Sequence, residues 1–172
     1  MKPIIVFPGQ GSQYLGMMRE LITHRPEAQG VLQKVNLWRN SQNLQSLNEI
    51  VYPMSVYDKE ELEQQIGYLT RTDNTQAGLS FANLAAFEVL KNMGLQVDAL
   101  AGHSYGELSA LHAAGIVDFD SYMKLTRCRG ELMRDCNEKQ GGAMLAVLAS
   151  KEKVLATIAS IDKSKYSIEV AN

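Results

Sequence analysis

The sequence predicts an α/β fold with a mainly parallel sheet, and three observations favour it. Short apolar runs typical of strands alternate with longer patterns of helical period. Two of the predicted strands end in glycine-rich turns, and a β-α-β pattern follows a third glycine-rich stretch at 140–142. The 172 residues are 45% hydrophobic and 21% charged, which is close to the average of soluble globular domains. The chain therefore has enough apolar material for a core.

The N-terminal half predicts one strand and then mostly helix. The apolar run Ile4–Phe7, ended by Pro8-Gly9, predicts a fully buried parallel strand. Residues 15–38 have a helical pattern that is interrupted near Pro26, and residues 39–58 predict connecting helix and loop. A regular apolar spacing then predicts a helix over 75–93, which ends at Gly94.

The next segment predicts a strand, a helix and a longer helix. The strand covers 97–101 and leads into a glycine-flanked serine, and the helix at 107–114 ends at Gly115. Asp118 is the expected N-cap of the longer helix, over 119–137.

A second, smaller subdomain is predicted to begin at residue 140, which divides the chain into 1–139 and 140–172. Its predicted elements are a strand at 143–149, a helix at 151–160 and a strand at 166–171. The last strand would leave an unpaired edge, which folded proteins normally avoid. We therefore expect the sequence to be the N-terminal part of a longer protein.

Charge and cysteine usage exclude several classes of function. The formal net charge is −2, so no basic field attracts nucleic acid or an anionic membrane. No window is long and apolar enough to span a membrane, and the N-terminal apolar run is too short for a signal peptide. Cys128 and Cys136 lie two helical turns apart on one predicted helix, too far for a disulfide. Free thiols fit a reducing, cytoplasmic location.

The stretch AGHSYGEL at 101–108 has the pattern G-x-S-x-G around Ser104. A nucleophile elbow requires a strand before the serine, a helix after it, and small residues at both flanks, here Gly102 and Gly106. The start of the helix directs backbone N–H groups at the site, so the N–H of Tyr105 is a candidate oxyanion donor. The alternative is that the pattern arose by chance in an ordinary strand-to-helix turn.

The turn FPGQGSQ at 7–13 also follows a predicted strand. Both glycine turns would lie at the carboxyl ends of parallel strands, where α/β sheets place their sites. The backbone N–H of Gln10, between Gly9 and Gly11, is a candidate second oxyanion donor. A phosphate loop is the weaker alternative, because the turn matches neither G-x-x-x-x-G-K-[ST] nor G-x-G-x-x-G.

Arg129 falls on the apolar side of its predicted helix. At 100° per residue, that side carries Tyr122, Leu125, Cys128, Leu132, Met133 and Cys136. Arg127 and Arg134 project to the opposite side, towards solvent. An arginine among apolar residues is costly unless it is paired, so two interpretations have equal weight. In the first, Arg129 has a structural role and forms an internal salt bridge or extends to solvent. In the second, it binds the carboxylate of a substrate.

None of the three histidines is a convincing base for the serine. His103 is adjacent to the serine and is expected to point to another side of the turn, and His112 lies two turns along the following helix. His24 lies in a polar stretch typical of the protein surface.

Three motifs in this order, FPGQGSQ, GHSYGE and TRCRGELM, with Thr75-Gln76 before the long helix, resemble the malonyl-CoA:acyl carrier protein transacylases. That family includes the acyltransferase domains of polyketide and polyunsaturated fatty acid synthases. The resemblance covers residues 4–172 and implies a hydrolase-like parallel-sheet core. Residues 140–172 would be the first part of an inserted ferredoxin-like subdomain.

The resemblance also implies a role for each motif residue. Ser104 would be the nucleophile that accepts the acyl group, and the backbone N–H groups of Gln10 and Tyr105 would bind the oxyanion. Arg129 would bind the free carboxylate of a malonyl-type group. The substrates would be malonyl-CoA or a related acyl-CoA, and the acceptor an acyl carrier protein. Neither a metal nor a cofactor is implied, because the CoA thioester is itself a substrate.

The remaining implications concern substrate contacts and the base. Gln76 would line the substrate site, and His103 belongs to the motif without being the family's base. The resemblance places that base, a histidine, in a C-terminal portion beyond residue 172, so the isolated chain is expected to be poorly active or inactive. The expected partners are that complementary C-terminal portion or neighbouring synthase domains. Ala77 replaces a proline common in the family, without expected consequence. The alternatives are a serine acyl-thioester hydrolase on the same scaffold and an inactive fragment that needs its complement.

Overall fold

The computed structural model describes residues 3–141, 145–161, 165 and 167–170. The chain forms two compact units, Met1–Gln140 and Gly141–Asn172. The elements of the first unit are β1 (Ile4–Phe7), α1 (Arg19–His24), α2 (Pro26–Ser41), α3 (Leu47–Val51), α4 (Lys59–Thr70), α5 (Thr72–Asn92), β2 (Ala99–Gly102), α6 (Gly106–Ala113) and α7 (Phe119–Gln140). The described part of the second unit contains α8 (Lys151–Ala159).

The two strands pair in parallel, as the sequence predicts, with Ile4 opposite Ala99 and Phe7 opposite Gly102. The predicted full burial of β1 is wrong, because Ile4 is 61% exposed and Val6 is 64% exposed. Side chains alternate between the two faces of a strand, and only the face that carries Phe7 is covered within the described residues. Phe7 is buried there and makes an edge contact with Phe87 of α5.

Helix α5 forms the centre of the first unit. Every residue from Asn74 to Ala85 is buried, as expected for a helix that is surrounded by other elements. Helices α2, α4, α6 and α7 all pack against it. Gly78 allows this close packing, since a Cβ there would lie 2.7 Å from Cε of Met17. The core therefore lies around α5, next to the two strands.

Most helix boundaries agree with the sequence, and one helix was missed. The break before Pro26 is confirmed, since Arg25 is extended and Pro26 is the first residue of α2. Asp118 caps α7 as predicted, because its Oδ1 accepts a hydrogen bond from the N–H of Ser121 at 2.8 Å. Helix α4 was not predicted, although Asp58 caps it by accepting the N–H of Glu61 at 3.0 Å. An acidic cap followed three residues later by Glu is the signal that could have found it.

In the second unit the predicted helix is confirmed and the predicted strands are not. Ser150 caps α8 by accepting the N–H of Lys153. Residues 145–149 and 167–170 have no strand structure, so the predictions at 143–149 and 166–171 are wrong there. Positions 143, 144, 166 and 171 lie outside the described residues. A strand exists only with a hydrogen-bonded neighbour, and the one sheet of the described residues contains β1 and β2 alone.

The sequence also predicts that the two cysteines form no disulfide and that no segment spans a membrane. Cys128 and Cys136 are both free, as predicted from their spacing, and both are exposed, which was not predicted. Among the described residues, no helix combines the length and the apolar character needed to cross a membrane.

Candidate active site

Ser104 occupies a strained turn between β2 and α6. Its φ is +52°, a left-handed conformation that costs a non-glycine residue about 1–3 kcal/mol. Both flanking glycines are required by their surroundings. A Cβ on Gly102 would overlap the backbone of Gly106, and a Cβ on Gly106 would overlap the carbonyl oxygen of Phe7. The strand, turn and helix expected of a nucleophile elbow are therefore all present.

The second glycine turn lies directly against this elbow, as the parallel-strand argument predicts. The N–H of His103 donates to the carbonyl oxygen of Phe7 at 3.0 Å. A Cβ on Gly9 would overlap the carbonyl oxygen of His103. The two turns are thus in backbone contact, and larger residues at these glycines would force them apart.

A buried polar network supports both turns, and sequence reasoning missed it. Asn83 of α5 donates from Nδ2 to the carbonyl oxygen of Pro8 at 3.2 Å and to Oγ of Ser109 at 2.9 Å. Ser109 also shares a hydrogen bond of 3.0 Å with the hydroxyl of Tyr122. Asn83 therefore links the first turn to the helix that follows the elbow. A polar residue in the middle of a completely buried helix was the available signal.

The side chain of Tyr105 belongs to the same network, and its backbone faces the site. The side chain is fully buried, and its hydroxyl lies 2.9 Å from the hydroxyl groups of both Tyr122 and Thr126. Burial raises the pKa of Tyr105 well above its ordinary value and that of Tyr122 to about 12. Both phenols therefore stay neutral and act as structural groups. Within the described residues, the backbone N–H groups of Gln10 and Tyr105 donate no hydrogen bond, so both remain available.

Arg129 contacts the serine. Its Nη2 donates to Oγ of Ser104 at 3.3 Å, and its Nη1 is buried without a hydrogen-bond partner. Among the described residues, no carboxylate forms an ion pair with Arg129. The internal salt bridge considered from the sequence is therefore not found there. A buried donor without a partner is costly, which makes this guanidinium a candidate for binding an anion.

The reasoning that first selected Arg129 was partly wrong. The buried face of α7 consists of Tyr122, Met123, Thr126 and Gly130. Of the residues assigned to an apolar side, Leu125 is 45% exposed and Leu132 is 63% exposed, and both cysteines are exposed. Helix α7 contacts α5 through a small residue, since a Cβ on Gly130 would lie 2.9 Å from Cα of Asp73. The spacing of large apolar residues therefore could not predict the contact between α7 and α5 at Gly130.

The prediction that Arg134 points to solvent is also wrong. Its Nη1 lies 2.6 Å from Oδ2 of Asp73 on α5, and its Nη2 lies 2.7 Å from Oδ1 of Asp135. Arg127 pairs with Glu131 on its own helix at 2.8 Å. Both arginines near Arg129 in sequence are therefore neutralised by carboxylates, which distinguishes Arg129 from them.

Gln76 lies beside the first glycine turn and is completely buried. Its Nε2 donates to Oε1 of Gln10 at 3.3 Å and to Sδ of Met133 at 3.4 Å, while its Oε1 has no partner. Among the described side chains of the site, Arg129 thus has a buried donor without a partner and Gln76 has a buried acceptor without one. Such a combination suits a ligand that carries both a carboxylate and a hydrogen-bond donor.

No histidine within the described residues forms a hydrogen bond with Ser104. His103 is exposed, with its ring beside Gly9. His112 shares a hydrogen bond of 2.7 Å between its Nδ1 and the carbonyl oxygen of Val117, and its ring stacks on Tyr122 at 4.9 Å between centroids. His24 is exposed, as predicted. The described histidines are therefore positioned for structural roles or for contact with solvent.

Comparison with known proteins identifies the family. Residues 4–168 match the family described as acyl transferase domain. The chain is 32% identical over 172 residues to a malonyl CoA-acyl carrier protein transacylase of Bacillus subtilis (strain 168), covering 99% of this chain and 50% of that protein. It superimposes on the acyl transferase domain of ZmaA with a TM-score of 0.79 and 25% identity, covering 96% of this chain and 36% of that one.

A third relative was solved with a partner. It is the malonyl-transacylase in a complex with a type II polyketide synthase acyl-carrier protein, with a TM-score of 0.64 and 33% identity, covering 79% of this chain and 40% of that one. The chain spans about half the length of the Bacillus subtilis transacylase that it matches. From the family match over nearly its whole length, together with these similarities, the chain belongs to the acyl transferase domain family.

Proposed function

We propose that this chain transfers a malonyl-type acyl group from CoA to the phosphopantetheine thiol of an acyl carrier protein, through an acyl-Ser104 intermediate. The contact between Arg129 and Ser104 carries the proposal. An unpartnered guanidinium donor lies one hydrogen bond from the serine hydroxyl, which is where the free carboxylate of a serine-bound malonyl group has to be neutralised. The similarity to malonyl transacylases supports the same substrate class.

Each half-reaction is an acyl exchange at Ser104. In the first, Oγ of Ser104 attacks the thioester carbon, a C–O bond forms, the C–S bond breaks, and the CoA thiolate leaves and takes up the serine proton through a base. The backbone N–H groups of Gln10 and Tyr105 stabilise the oxyanion of the tetrahedral intermediate. In the second half-reaction, the carrier thiol attacks the acyl-serine by the same route and restores the hydroxyl. The chemistry needs no cofactor.

We further propose that the remaining groups orient the acyl chain. Arg129 fixes its carboxylate, and Gln76 offers Oε1 to a hydrogen-bond donor on the acyl group or its thioester arm. His103 precedes the serine as an exposed side chain beside Gly9 and is placed to contact the substrate. An arginine next to the serine disfavours the alternative of a hydrolase for neutral acyl chains. A partly buried cation without an ion pair among the described residues would then face an apolar substrate.

The base is proposed to be a histidine supplied by a complementary C-terminal portion. The described histidines are engaged elsewhere or lie at the surface, and serine requires such a partner to become a strong nucleophile. In the same proposal, 1–139 is part of a hydrolase-like core and 140–172 begins a ferredoxin-like subdomain. That subdomain would be completed by the same complementary portion.

The test is malonyl labelling of Ser104, followed by mass spectrometry of the intact chain and of its peptides. The chain is incubated with malonyl-CoA, alone and with the C-terminal portion of a related transacylase. We expect a malonyl adduct on the peptide that contains Ser104, with the added portion raising its rate, and no adduct in Ser104→Ala. If neither mixture gives a serine adduct, the transferase proposal is wrong.

Arg129→Ala tests the role of the guanidinium. This variant should lose malonyl labelling by about 10–100-fold, because a charged hydrogen bond contributes about 1.5–3 kcal/mol, while acetyl-CoA labelling is retained or increased. Lys124→Ala is the matched control, since it removes a cation from the same helix whose partner is Asp120. Equal malonyl labelling in the Arg129 and Lys124 variants would exclude carboxylate binding by Arg129.

A further inference from the structure

Arg129 depends on helix α7 for its position. Among the described residues its guanidinium has no ion pair, and it donates a hydrogen bond of 3.3 Å to Oγ of Ser104. That length is close to the limit of about 3.5 Å beyond which a hydrogen bond is lost. The placement of α7 therefore decides whether the guanidinium reaches the serine.

A small rotation of α7 is enough to break this contact. The end of a long side chain lies about 6 Å from the helix axis, so a rotation of about 10° moves it by about 1 Å. A shift of that size away from the serine would separate Nη2 of Arg129 from Oγ of Ser104. The contacts that fix the rotation of α7 near Arg129 thus bear directly on the proposed site.

The residue that follows Arg129 brings α7 against α5 without a side chain. A Cβ on Gly130 would lie 2.9 Å from Cα of Asp73, so the two helix backbones approach closely. Side chains of one helix that fit between those of its neighbour hold the two helices in register, and a glycine provides none. The contact at Gly130 therefore brings the helices together but does not by itself resist rotation of α7.

An ion pair fixes the rotation of α7 further along the helix. None of residues 131–139 is buried. Within the described residues, hydrogen bonds and ion pairs connect this stretch to other elements at two points. Nη1 of Arg134 lies 2.6 Å from Oδ2 of Asp73. Sδ of Met133 accepts a hydrogen bond of 3.4 Å from Nε2 of Gln76. Because thioether sulfur is a weak acceptor, the ion pair is the stronger of the two connections.

The ion pair is charged at neutral pH and partly shielded from water. The side chain of Asp73 is 17% exposed and that of Arg134 is 28% exposed. Burial alone would raise the pKa of Asp73, but hydrogen bonds from Arg71 and Arg134 hold it below its ordinary value. A partly buried pair is screened by salt less than an exposed one. The connection between α5 and α7 therefore persists under ordinary solution conditions.

We propose that Asp73 is a positioning residue that, through Arg134, holds α7 so that Arg129 faces the serine-bound acyl group. This inference rests on the proposed function and adds a residue that acts on the acyl preference through Arg129. Loss of the ion pair would withdraw the guanidinium from the carboxylate of a malonyl group. Acylation of Ser104 by an uncharged group would continue, because that reaction does not need the guanidinium.

The test compares variants by the ratio of malonyl to acetyl labelling of Ser104, measured by mass spectrometry. Each chain is mixed with the C-terminal portion of a related transacylase and with malonyl-CoA or acetyl-CoA. Arg134→Met and Asp73→Ala each remove the ion pair, and the alanine keeps the Cα and Cβ that lie nearest to Gly130. We expect the ratio to fall about tenfold in both variants, the lower end of the effect of losing a charged hydrogen bond.

Arg71→Met is the matched control. Arg71 lies 3.0 Å from the same carboxylate oxygen of Asp73, but it precedes α5 and makes no ion pair with α7 among the described residues. The substitution is the same as at Arg134, and the ratio should stay at the wild-type value. An equal fall in Arg71→Met and Arg134→Met overturns the proposal.

Asp73→Ala also separates positioning from a simple effect of charge. Removal of a negative charge near the site favours binding of the malonyl carboxylate, so charge alone would raise the ratio in Asp73→Ala and lower it in Arg134→Met. Opposite shifts overturn the proposal, as does an unchanged ratio in both variants. Should either variant not fold, Asp73→Asn or Arg134→Gln replaces it.

The wild-type chain separates failure of this inference from failure of the proposed function. A wild-type chain that gives no malonyl adduct on Ser104 refutes the proposed function, and the role of Asp73 falls with it. A wild-type chain that prefers malonyl, with the same preference in Arg134→Met and Asp73→Ala, refutes the role of Asp73 alone.

Discussion

Replacement of Asn83 with alanine tests whether the buried amide holds the two glycine turns together. Asn83 is 4% exposed and donates hydrogen bonds to the carbonyl oxygen of Pro8 and to Oγ of Ser109. The alanine variant removes both bonds without adding volume. Ser109 keeps its hydrogen bond with Tyr122, whereas the carbonyl oxygen of Pro8 loses the partner that the described residues give it.

The expected loss follows from these contacts. Two hydrogen bonds contribute about 1 kcal/mol each, and a buried carbonyl left without a partner costs about 1–3 kcal/mol more. Asn83→Ala should therefore reduce the free energy of unfolding by about 3–5 kcal/mol. Water that enters the space and binds the Pro8 carbonyl would move the result towards the lower figure.

Urea unfolding followed by the fluorescence of Trp38 measures this loss. Trp38 is the single tryptophan of the sequence and lies in the same unit as Asn83. The matched control is Asn92→Ala on the same helix, where an exposed amide donates one local hydrogen bond to the carbonyl oxygen of Glu88. That variant should change stability by no more than about 0.5 kcal/mol. If both variants lose the same small amount, Asn83 does not hold the turns together.

Three further variants test the glycine contacts, an ion pair and the buried phenol, each by urea unfolding. Gly106→Ala should lower the free energy of unfolding by about 4 kcal/mol or more, because the added methyl group overlaps the Phe7 carbonyl oxygen. In the control Gly30→Ala, the methyl group enters open space and should raise the free energy of unfolding by about 0.5–1 kcal/mol. Equal effects would contradict the steric argument. Burial alone would raise the pKa of Asp73, but hydrogen bonds from two arginine side chains hold it below its ordinary 3.8. The ion pairs of Asp73 therefore contribute fully to stability above pH 3.8, and this contribution is lost as the pH falls through the depressed pKa. Asp73→Asn should flatten the acid side of the curve of unfolding free energy against pH. An unchanged slope would contradict a stabilising role for these ion pairs. Tyr105→Phe should lower the free energy of unfolding by about 1–2 kcal/mol, because it removes the hydroxyl that contacts Tyr122 and Thr126. Unchanged stability would mean that these hydrogen bonds do not stabilise the fold.

The sequence predicted the features that depend on local backbone geometry. A serine between Gly102 and Gly106, after an apolar run and before a helical one, leaves few conformations other than an elbow. The parallel pairing of β1 and β2 followed from the same pattern, and it predicted that the turn at Gln10 lies next to the turn at Ser104. In both cases close approach of backbone atoms explains why the residue types had to be small.

Features set by packing between distant segments could not be predicted from the sequence. The contact of α7 with α5 runs through Gly130, and a glycine carries no hydrophobic signal, so the large apolar residues of α7 indicated the wrong face. The same error concealed the ion pair between Arg134 and Asp73, which are 61 residues apart. The exposure of Val6 likewise depends on whether another element packs on its face of the sheet. The pattern of apolar residues along one strand does not specify this.

The sequence argument that selected Arg129 was incomplete, although the structure places this residue beside Ser104. Its position was inferred from an apolar face that is only partly buried in the structure, yet its guanidinium contacts Oγ of Ser104. The stronger argument is the contrast with Arg127 and Arg134, both of which have carboxylate partners. Hydrogen bonding separates these three arginines more sharply than helical position does, because Arg129 is the one of the three with a buried donor that has no partner among the described residues.

If the proposed function is right, acyl positioning and serine activation depend on different groups. The turns at Gln10 and Ser104 contact each other directly, and Asn83 binds the first of them. Arg129 forms a direct hydrogen bond with Oγ of Ser104. Under the proposed function, preference for a carboxylate-bearing acyl group is therefore a property of these contacts alone. A missing base lowers the rate for malonyl-CoA and acetyl-CoA alike, since proton removal from Ser104 is common to both. The ratio of their labelling rates should consequently stay the same when a complementary portion is added, even as both rates rise.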